Sequence, residues 1–555
     1  MKPGVEVSER GSTFRVWAPK HARLSLHLNG RAHSMTREAE GWFSLFSAQA
    51  RAGSRYAYQL EDGRRRPDPA SLRQPEGVHA ASAVFDVNAF HWNDAGWKGV
   101  ELDSLVFYEL HVGTFTEEGT LDAAARFLPE LKELGVTCVE LMPVQPFAGD
   151  RNWGYDGVLP YAVHESYGGP EALQRFVDAA HRAGLAVCLD VMFNHLGPEG
   201  NYSQDFAPYY SARHQTPWGD GIDFDGEDSG PVRRFFVGAV LQWVRDFHLD
   251  ALRLDAVHAI PDDSPRHIVR ETTDEVRAFA KAAGRQIHVI AESDLCDRRV
   301  VESGPGGWGA SSAWADDFHH AVHAWLTGER RHYFADFGRP EDLTLALGQG
   351  FVHQGQYSQF RRRPHGTPTS GLRPSQFVFS LQNHDQVGNR PHGERLISLL
   401  PEGAWPPLAA IFLLGPGLPL LFMGEEYGET RPFLYFTSHS DPALAKAVSE
   451  GRKRELIAAG VENVPDPQDP ATFLASKLSR RSDGVHREIL RTYRTLLELR
   501  RRYKQCIAGE WPRVAIHGRA VSVERSAFTL QSNLGSEPAL GLGPWSWRVE
   551  PASGG

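Results

Sequence analysis

Cysteine is scarce in this chain and never occurs as a closely spaced pair. The four cysteines lie far apart and form no CxxC spacing: Cys138, Cys188, Cys296 and Cys506. The first two fall inside apolar, strand-like runs. This pattern gives no support for a disulfide framework, and it predicts reduced thiols in a cytoplasmic protein.

An excess of positive charge and a long unbroken apolar run are also missing. The 555 residues include 59 basic and 69 acidic side chains, for a net charge of −10, which argues against a nucleic-acid partner. The first residues, MKPGVEVSERGSTFR, contain no apolar segment typical of an export signal. The longest apolar stretch, residues 406–424, is broken by Gly415, Pro416, Gly417 and Pro419. It therefore predicts a buried helix, a tight loop and a buried strand, and we expect no membrane partner.

The chain does contain two different rhythms of apolar residues. Over residues 1–92, short alternating runs such as STFRVWAP and SRYAYQLEDG are separated by glycine-containing turns. This spacing predicts an antiparallel, immunoglobulin-like β-sandwich. Residues 93–485 are predicted to form a central domain, and residues 486–555 a terminal helix with a small antiparallel β domain.

From residue 105 to about 430, eight apolar strand-like runs alternate with helical patterns. Parallel strands that are buried on both faces have this composition. The alternation fits either a closed (β/α)8 TIM barrel or an open, doubly wound sheet. No GxGxxG turn or phosphate-binding loop follows the first strand, so we predict an α/β TIM barrel without a cofactor.

Polar and charged residues follow four of these apolar runs at their carboxyl ends. In chain order they are His195, then Arg253, Asp255 and His258, then Glu292, and finally Asn383, His384, Asp385 and Gln386. In a closed barrel the carboxyl ends of all strands open on one face, where barrel active sites are built. The sequence therefore predicts that these side chains meet in one pocket.

Three carboxylates in that pocket, Asp255, Glu292 and Asp385, favour chemistry on glycosidic bonds. Acids that crowd together repel one another, so at least one should have a raised pKa and keep its proton near neutral pH. A protonated acid can then protonate the departing oxygen while an ionised one attacks or stabilises the sugar carbon. Arg253 lies two residues before Asp255, on the same side of a strand, and can keep it ionised. Only apolar residues directly precede Glu292, which suits the protonated acid.

Taken singly, these residues also have ordinary structural explanations. A lone acid at a strand end is often a helix cap or part of a surface ion pair, and a lone histidine is often a core residue. Acids and histidines together also bind metals, but the sequence has no HxH or HExxH spacing and no acidic calcium loop. We therefore predict no metal. The coincidence of four such strand ends in one alternation favours an active site.

The segments DVMFNH, LRLDAVH, VIAESD and LQNHDQVGN resemble, in this order, the four short signature regions of the alpha-amylase superfamily. That resemblance implies a retaining mechanism, with Asp255 as the nucleophile, Glu292 as the general acid/base and Asp385 as a stabiliser of the transition state. The subsite of the attacked glucose is implied to include His195, Arg253 and His384.

Within that superfamily the chain is similar to the maltooligosyltrehalose trehalohydrolases, in segments such as YELHVGTFT, NWGYDG, TPWGDGIDFDG and LLFMGEEYGE. The resemblance implies hydrolysis of the alpha-1,4-glucosidic bond next to a terminal trehalose in an alpha-glucan oligosaccharide. It also implies a role in trehalose biosynthesis after a trehalose-forming synthase, with no stable complex expected. Tyr155 of NWGYDG is implied to be the aromatic platform under the attacked sugar.

We expect residues 312–325, SAWADDFHHAVHAW, to bind the trehalose end of such a substrate. A helix that begins here offers a dense set of donors and acceptors to a group rich in hydroxyls: Asp316, Asp317, His319 and His320. The alternative is a helix cap with an acidic first turn and an exposed polar face.

Three other functions remain open on the sequence. A branching or debranching enzyme of the same superfamily would use the same acids on another bond. A non-catalytic sugar-binding barrel needs no acid paired with a nucleophile, so Asp255, Glu292 and Asp385 argue against it. An oxidoreductase on a similar barrel has no cofactor motif to support it.

Overall fold

The computed structural model describes residues 2–458 and 463–552, and a closed barrel of eight parallel strands forms its centre. The strands pair in the order in which they occur along the chain, and the last pairs with the first. Their bounds are Phe107–Leu110, Cys138–Leu141, Ala186–Val191, Ala251–Leu254, His288–Ala291, Ser312–Trp314, Phe377–Ser380 and Leu418–Phe422. The predicted TIM barrel is therefore confirmed, and the open doubly wound sheet is excluded.

Helices surround the barrel and connect its strands. The main ones are Leu128–Leu134, Gly169–Ala183, Ser229–Asp246, Ile268–Ala283, Asp317–Thr327, Pro340–Gln349, Trp405–Leu413, Pro442–Ala458 and Gly484–Arg502. Their buried residues recur at helical spacing, as Leu173, Phe176 and Ala180 do in the second of these helices. That helix ends at Gly184, whose φ of 75° lies in the left-handed region that glycine adopts without strain.

Side chains that point into the barrel form successive levels, which change from apolar to polar along the strands. The first level is an apolar cluster that includes Phe107, Cys138, Cys188, Ala251 and Ile290. Because successive residues of a strand alternate in direction, the residues two positions further on also face inward. These are Glu109, Glu140, Asp190, Arg253 and Glu292. The polar level lies at the carboxyl ends of the strands and forms the floor of the candidate site.

Two antiparallel sheets precede the barrel. One contains Gly4–Ser8, Gly11–Trp17, Thr36–Arg37 and Trp42–Ser47, and the other Ser25–Leu28, Arg31–Ser34, Arg55–Gln59, Arg65–Arg66 and Ser82–Ala83. The sheets pack against each other, with the rings of Phe14 and Tyr56 4.9 Å apart, which confirms the predicted antiparallel sandwich. Arg66 ties the sandwich to the barrel, because its Nε donates a hydrogen bond of 2.6 Å to Asp205 Oδ2.

The chain closes with the predicted antiparallel sheet, formed by Arg513–His517, Ala520–Glu524, Phe528–Asn533 and Ser546–Pro551. The apolar stretch of residues 406–424 forms the helix Trp405–Leu413 and the buried strand Leu418–Phe422, as predicted. Across residues 2–458 and 463–552, no helix combines the length and apolar character needed to span a bilayer.

Two hairpins extend the loops at the carboxyl ends of the strands. Tyr210–Thr216 pairs with Gly219–Ile222 after the third barrel strand. Gln354–Ser358 pairs with Arg363–Gly366 between the sixth and seventh strands. Both hairpins belong to loops on the face of the barrel that carries the polar level.

Candidate active site

Arg253 is the centre of the polar cluster. Its Nη1 donates hydrogen bonds of 2.5 Å to Asp190 Oδ2 and 2.8 Å to Asp255 Oδ1, and its Nη2 donates one of 2.9 Å to Glu292 Oε2. The guanidinium group is fully buried, so these bonds are made away from bulk water. The predicted placement of Arg253 and Asp255 on one side of the strand is confirmed.

Asp255 accepts hydrogen bonds on both carboxylate oxygens. Oδ1 accepts from Arg253, and Oδ2 accepts from Asn194 Nδ2 at 2.9 Å. The side chain is 12% exposed, which leaves it within reach of a ligand in the pocket. Two donors, one of them the Arg253 cation, thus fix the orientation of this carboxylate.

Glu292 is the acid whose environment favours the protonated form. Burial raises its pKa well above the usual range; the Arg253 cation opposes this shift, and the charges of Asp255 and Asp385 add to it. Its Oε2 accepts hydrogen bonds from Arg253 and from the backbone N–H of Ala256 at 2.7 Å. Oε1 is therefore the oxygen available to carry a transferable proton.

A strained backbone position adjoins this contact. Ala256 has a φ of 40°, in the left-handed region that residues with a Cβ rarely adopt. The unusual conformation occurs directly after Asp255, where the N–H of Ala256 meets Glu292. Ala256, whose backbone N–H links the segment of Asp255 to the side chain of Glu292, therefore has a strained backbone conformation.

A hydrogen-bonded chain runs from Glu109 through His384 and Tyr155 to Asp190. His384 Nδ1 lies 2.5 Å from Glu109 Oε1, and its Nε2 lies 2.8 Å from the hydroxyl of Tyr155, which donates to Asp190 Oδ2 at 2.5 Å. Although burial disfavours the charged ring, the carboxylates of Glu109 and Asp385 raise the pKa of His384 to about 9. The site therefore holds a second cation near neutral pH.

Asp385 lies in the first turn of a short helix, His384–Gly388, whose N-cap is Asn383. The side chain of Asn383 accepts from the backbone N–H groups of Asp385 and Gln386, so its oxygen is engaged with the protein. The carboxylate of Asp385 is 38% exposed, and its Oδ1 lies 3.5 Å from His384 Nε2. This is the most accessible of the three predicted acids.

Asp316 and Gln386 form a polar pair beside the three acids. Gln386 Nε2 donates to Asp316 Oδ1 at 3.1 Å. Burial raises the pKa of Asp316 to about 7, and the nearby charge of Asp385 adds to the shift. Asp316 precedes the helix Asp317–Thr327 but makes no side-chain capping bond, so the structure does not support the capping explanation for this residue.

The other residues predicted on that helix turn towards the protein. Asp317 Oδ2 accepts from the backbone N–H groups of Val352 at 2.7 Å and His353 at 3.0 Å. His319 Nδ1 lies 2.6 Å from the carbonyl oxygen of Leu381. The ring of His320 stacks on Tyr333, with centroids 4.3 Å apart. Of the four residues predicted to read one end of a ligand, Asp316 is thus the one joined to the acid cluster.

His195 and His258 each contact the protein backbone. His195 Nε2 is 3.1 Å from the carbonyl oxygen of Tyr155, and its ring stacks on Trp218 with centroids 5.3 Å apart. His258 is exposed, and its Nδ1 accepts from the backbone N–H of Asp294 at 3.2 Å. Burial lowers the pKa of His195, so this histidine adds no positive charge near neutral pH.

Two residues of this network were not predicted from the sequence. Glu109 is the acid at one end of the hydrogen-bonded chain. Trp314 covers the guanidinium of Arg253, with Arg253 Cζ 4.3 Å from the ring centroid. A signal for Glu109 was present, because it is a charged residue inside an apolar strand.

A cleft of about 440 Å³ continues from His195 towards the N-terminal sandwich. Its lining includes Arg66 of the sandwich and Tyr202, Trp218 and Asp220 of the barrel loops. Trp218 is 52% exposed. An exposed aromatic ring with polar neighbours is suited to a carbohydrate chain, because a sugar ring has apolar faces and a polar rim.

An acid with a raised pKa and a carboxylate on one arginine, at the open end of a (β/α)8 barrel, are the groups that a glycoside hydrolase requires. Comparisons with known proteins place the chain in the alpha-amylase class of these enzymes. Residues 89–219 match the family model for the alpha amylase catalytic domain. A crystal structure of an alpha amylase candidate from Salmonella typhimurium superimposes with a TM-score of 0.93 at 39% identity, covering 99% of each chain.

Curated relatives identify the family more narrowly. The chain is 46% identical to the malto-oligosyltrehalose trehalohydrolase of Saccharolobus solfataricus, over 90% of this chain and 87% of that protein. It is 48% identical to the enzyme of the same name from Rhizobium sp., over 88% and 84% of the two chains. The protein belongs to the malto-oligosyltrehalose trehalohydrolase family.

Proposed function

We propose that this protein hydrolyses the alpha-1,4-glucosidic bond next to the terminal trehalose of maltooligosyltrehalose and releases trehalose. The observation that carries the proposal is the 46% sequence identity, over 90% of the chain, to a malto-oligosyltrehalose trehalohydrolase. The acid cluster supports it, because Asp255, Glu292 and Asp385 supply the groups that hydrolysis of a glucosidic bond requires.

The first step would use Asp255 and Glu292 together. The Asp255 carboxylate attacks the anomeric carbon while Glu292 gives its proton to the glucosidic oxygen, so the bond to trehalose breaks and trehalose leaves. Asp385, which is partly exposed beside the other acids, would accept hydrogen bonds from hydroxyls of the distorted sugar. Arg253 stabilises the Asp255 carboxylate as the leaving group of the second step.

In the second step Glu292 would act as a general base. Glu292, now ionised, takes a proton from water, and the resulting hydroxide attacks the anomeric carbon of the glucosyl-enzyme. The bond to Asp255 breaks, the shortened oligosaccharide leaves, and Glu292 is again protonated. The anomeric configuration is retained because two inversions occur at one carbon.

Tyr155 and His384 would shape the subsite of the attacked glucose. Their rings are stacked, with centroids 5.2 Å apart, and Tyr155 is fixed by bonds to both Asp190 and His384. His195 and the cleft beyond it would then hold the maltooligosyl chain. Asp316 and Gln386 would lie on the other side of the acids and accept the trehalose end.

Product analysis tests this function directly. Maltotriosyltrehalose should yield trehalose and maltotriose in equal amounts. Formation of new alpha-1,6 branches from amylose would instead identify a branching enzyme. Rapid hydrolysis of pullulan, together with no release of trehalose from maltotriosyltrehalose, would identify a debranching enzyme. A protein that binds maltotriosyltrehalose without cleaving it would be the non-catalytic barrel.

We expect the activity to fall on the alkaline side of the pH profile. Burial raises the pKa of Glu292 well above the usual range, so the group stays protonated near neutrality and loses its proton only as the pH rises through that value. The value of kcat/KM for maltotriosyltrehalose should therefore decline at alkaline pH. A substrate with a fluoride leaving group needs no proton from Glu292, so its kcat/KM should decline less at alkaline pH. An equal decline of kcat/KM for both substrates would contradict the assignment of Glu292 as the general acid.

Asp316→Asn should impair recognition of trehalose more than cleavage itself. Loss of one buried charged hydrogen bond to a ligand costs about 1–3 kcal/mol, which predicts a roughly 10- to 100-fold lower kcat/KM for maltotriosyltrehalose. Hydrolysis of plain maltopentaose should change much less. Asp122→Asn, on a surface ion pair with Arg175, serves as the control. Equal losses on both substrates would show that Asp316 does not select for trehalose.

The biological setting follows from the same proposal. The protein would act after an enzyme that forms the terminal trehalose linkage, through a diffusing oligosaccharide and without a stable complex. We place it in the cytoplasm, in agreement with four free cysteines, of which Cys138, Cys188 and Cys296 are buried.

A further inference from the structure

Cys296, Asp317 and His353 converge behind the candidate active site. Cys296 lies in the loop after the fifth barrel strand, Asp317 begins the helix after the sixth, and His353 precedes the hairpin strand Gln354–Ser358. All three side chains are buried, and one potential ligand atom from each lies within 4.8 Å of the others. Neither the hydrolysis nor the recognition of substrate described above uses this cluster.

We propose that Cys296, Asp317 and His353 bind a divalent transition-metal ion, and that zinc is the ion that fits them best. A thiolate, an imidazole and a carboxylate are each ligands that zinc accepts. The ion would tie three separate loops together on the face of the barrel that carries the acids.

The separations between the ligand atoms match a tetrahedral shell. Cys296 Sγ lies 3.6 Å and His353 Nδ1 lies 3.5 Å from Asp317 Oδ2. Zinc bonds of about 2.3 Å to sulfur and about 2.0–2.2 Å to nitrogen and oxygen place tetrahedral ligand atoms about 3.3–3.7 Å apart. These two separations are therefore the ones expected between ligands of one ion, and Cys296 and His353 offer ligand atoms within 4.8 Å of each other.

His353 supplies the second observation. Its side chain is 4% exposed, yet its Nδ1 has no hydrogen-bond partner among the residues that the structure describes. A buried nitrogen without a partner is costly. Coordination of a metal by the lone pair of Nδ1 satisfies this atom, whereas Asp317 Oδ2, at 3.5 Å, is too distant for a hydrogen bond.

Carboxylate and backbone groups surround the cluster. Asp336 Oδ2 lies 3.5 Å from His353 Nε2, on the other side of the ring from Nδ1 and beyond hydrogen-bond distance. The backbone N–H groups of Val352 and His353 donate to Asp317 Oδ2 and fix the orientation of this carboxylate. Nε2 of His365 is also buried without a partner in the described part of the chain, 5.1 Å ring to ring from His353. His365 is thus a candidate for the fourth ligand, as an alternative to water.

The short motifs of zinc proteins could not have shown this cluster, because its members are distant along the chain. Asp317 follows Cys296 by 21 positions and precedes His353 by 36. The expectation of no metal rested on the absence of local spacings such as HExxH. The barrel brings together ligands that the linear sequence keeps apart.

The test uses untagged, full-length protein that has been treated with a chelator and then dialysed. Equilibration with Zn²⁺, followed by elemental analysis, should give one zinc per chain. With Co²⁺ as the probe, an absorption band for charge transfer from thiolate to cobalt should appear. Cys296→Ser should lose this band, and Cys506→Ser, which changes a half-buried cysteine outside the cluster, should keep it.

Thermal unfolding provides a readout that does not depend on the variants' activity. Zn²⁺ should raise the Tm of the wild type and of Cys506→Ser, because a ligand that binds only the folded state stabilises it. His353→Gln should remove the shift even if Cys296→Ser fails to fold. Wild-type protein that retains no stoichiometric zinc and shows no thiolate band with cobalt would overturn the proposal. The cluster would then be a metal-free contact between Asp317 and His353.

Discussion

Asp255→Asn should abolish hydrolysis while leaving the protein folded. The change keeps the size of the side chain but replaces the nucleophilic carboxylate with an amide, and loss of a nucleophile typically lowers kcat by a factor on the order of 10⁴–10⁶. The initial rate of trehalose release from maltotriosyltrehalose measures the effect. Circular dichroism and the Tm show whether the fold survives.

A matched control separates this effect from a general loss of charge. Asp263→Asn removes an acid from the loop that follows the same barrel strand, but its side chain is 79% exposed. This variant should retain activity close to that of the wild type. An Asp255→Asn variant that keeps more than about a tenth of the wild-type rate would exclude Asp255 as the nucleophile.

Glu292→Gln should lower the rate by roughly 10²–10⁴-fold on the natural substrate, the range expected for loss of a general acid. Glutamine preserves the contact with the N–H of Ala256 through its amide oxygen, but it has no proton to give. The loss should be much smaller in the first step with a glucosyl fluoride, because fluoride leaves without protonation. Comparison of the two substrates therefore distinguishes loss of proton transfer from a distortion of the active site.

The same variant should also trap the intermediate. The second step needs Glu292 as a base, so a glucosyl group transferred from the fluoride to Asp255 should accumulate and be visible by mass spectrometry of the intact protein. Glu302→Gln, which changes a partly exposed acid that pairs with Arg298, should turn over both substrates normally. An equal loss on both substrates, without a trapped adduct, would refute the assignment of Glu292 as acid/base.

Much of the fold could be predicted because its signals are local. Each barrel strand is a short apolar run, and each helix shows apolar residues at helical spacing, so both are readable within a window of 10 to 20 residues. The polar ends of the fourth, fifth and seventh strands were readable for the same reason. Closure of the barrel was not fixed by this alternation, which also fits an open doubly wound sheet; the pairing of the last strand with the first decided it.

The residues around the acids were predicted less completely, because their roles depend on the direction in which each side chain points. Asp316 and Asp317 are neighbours in sequence, yet Asp316 pairs with Gln386 near the acids and Asp317 binds the backbone of Val352 and His353. Asp316 is the N-cap and Asp317 the first residue of the helix Asp317–Thr327, and their side chains leave the backbone in different directions. Nothing in the spacing of the sequence says which of the two faces the pocket.

By itself, the sequence determined the alternation of strands and helices, the flanking antiparallel sheets and the acids at the strand ends, since these follow from local patterns of apolar and polar residues. Only the tertiary structure decided that Arg253 bridges Asp190, Asp255 and Glu292, that Glu109 holds His384, and that Cys296, Asp317 and His353 form one cluster. The physical reason is that such contacts join residues tens to hundreds of positions apart. Burial, which sets the protonation of Glu292, exists only once the barrel has closed around it.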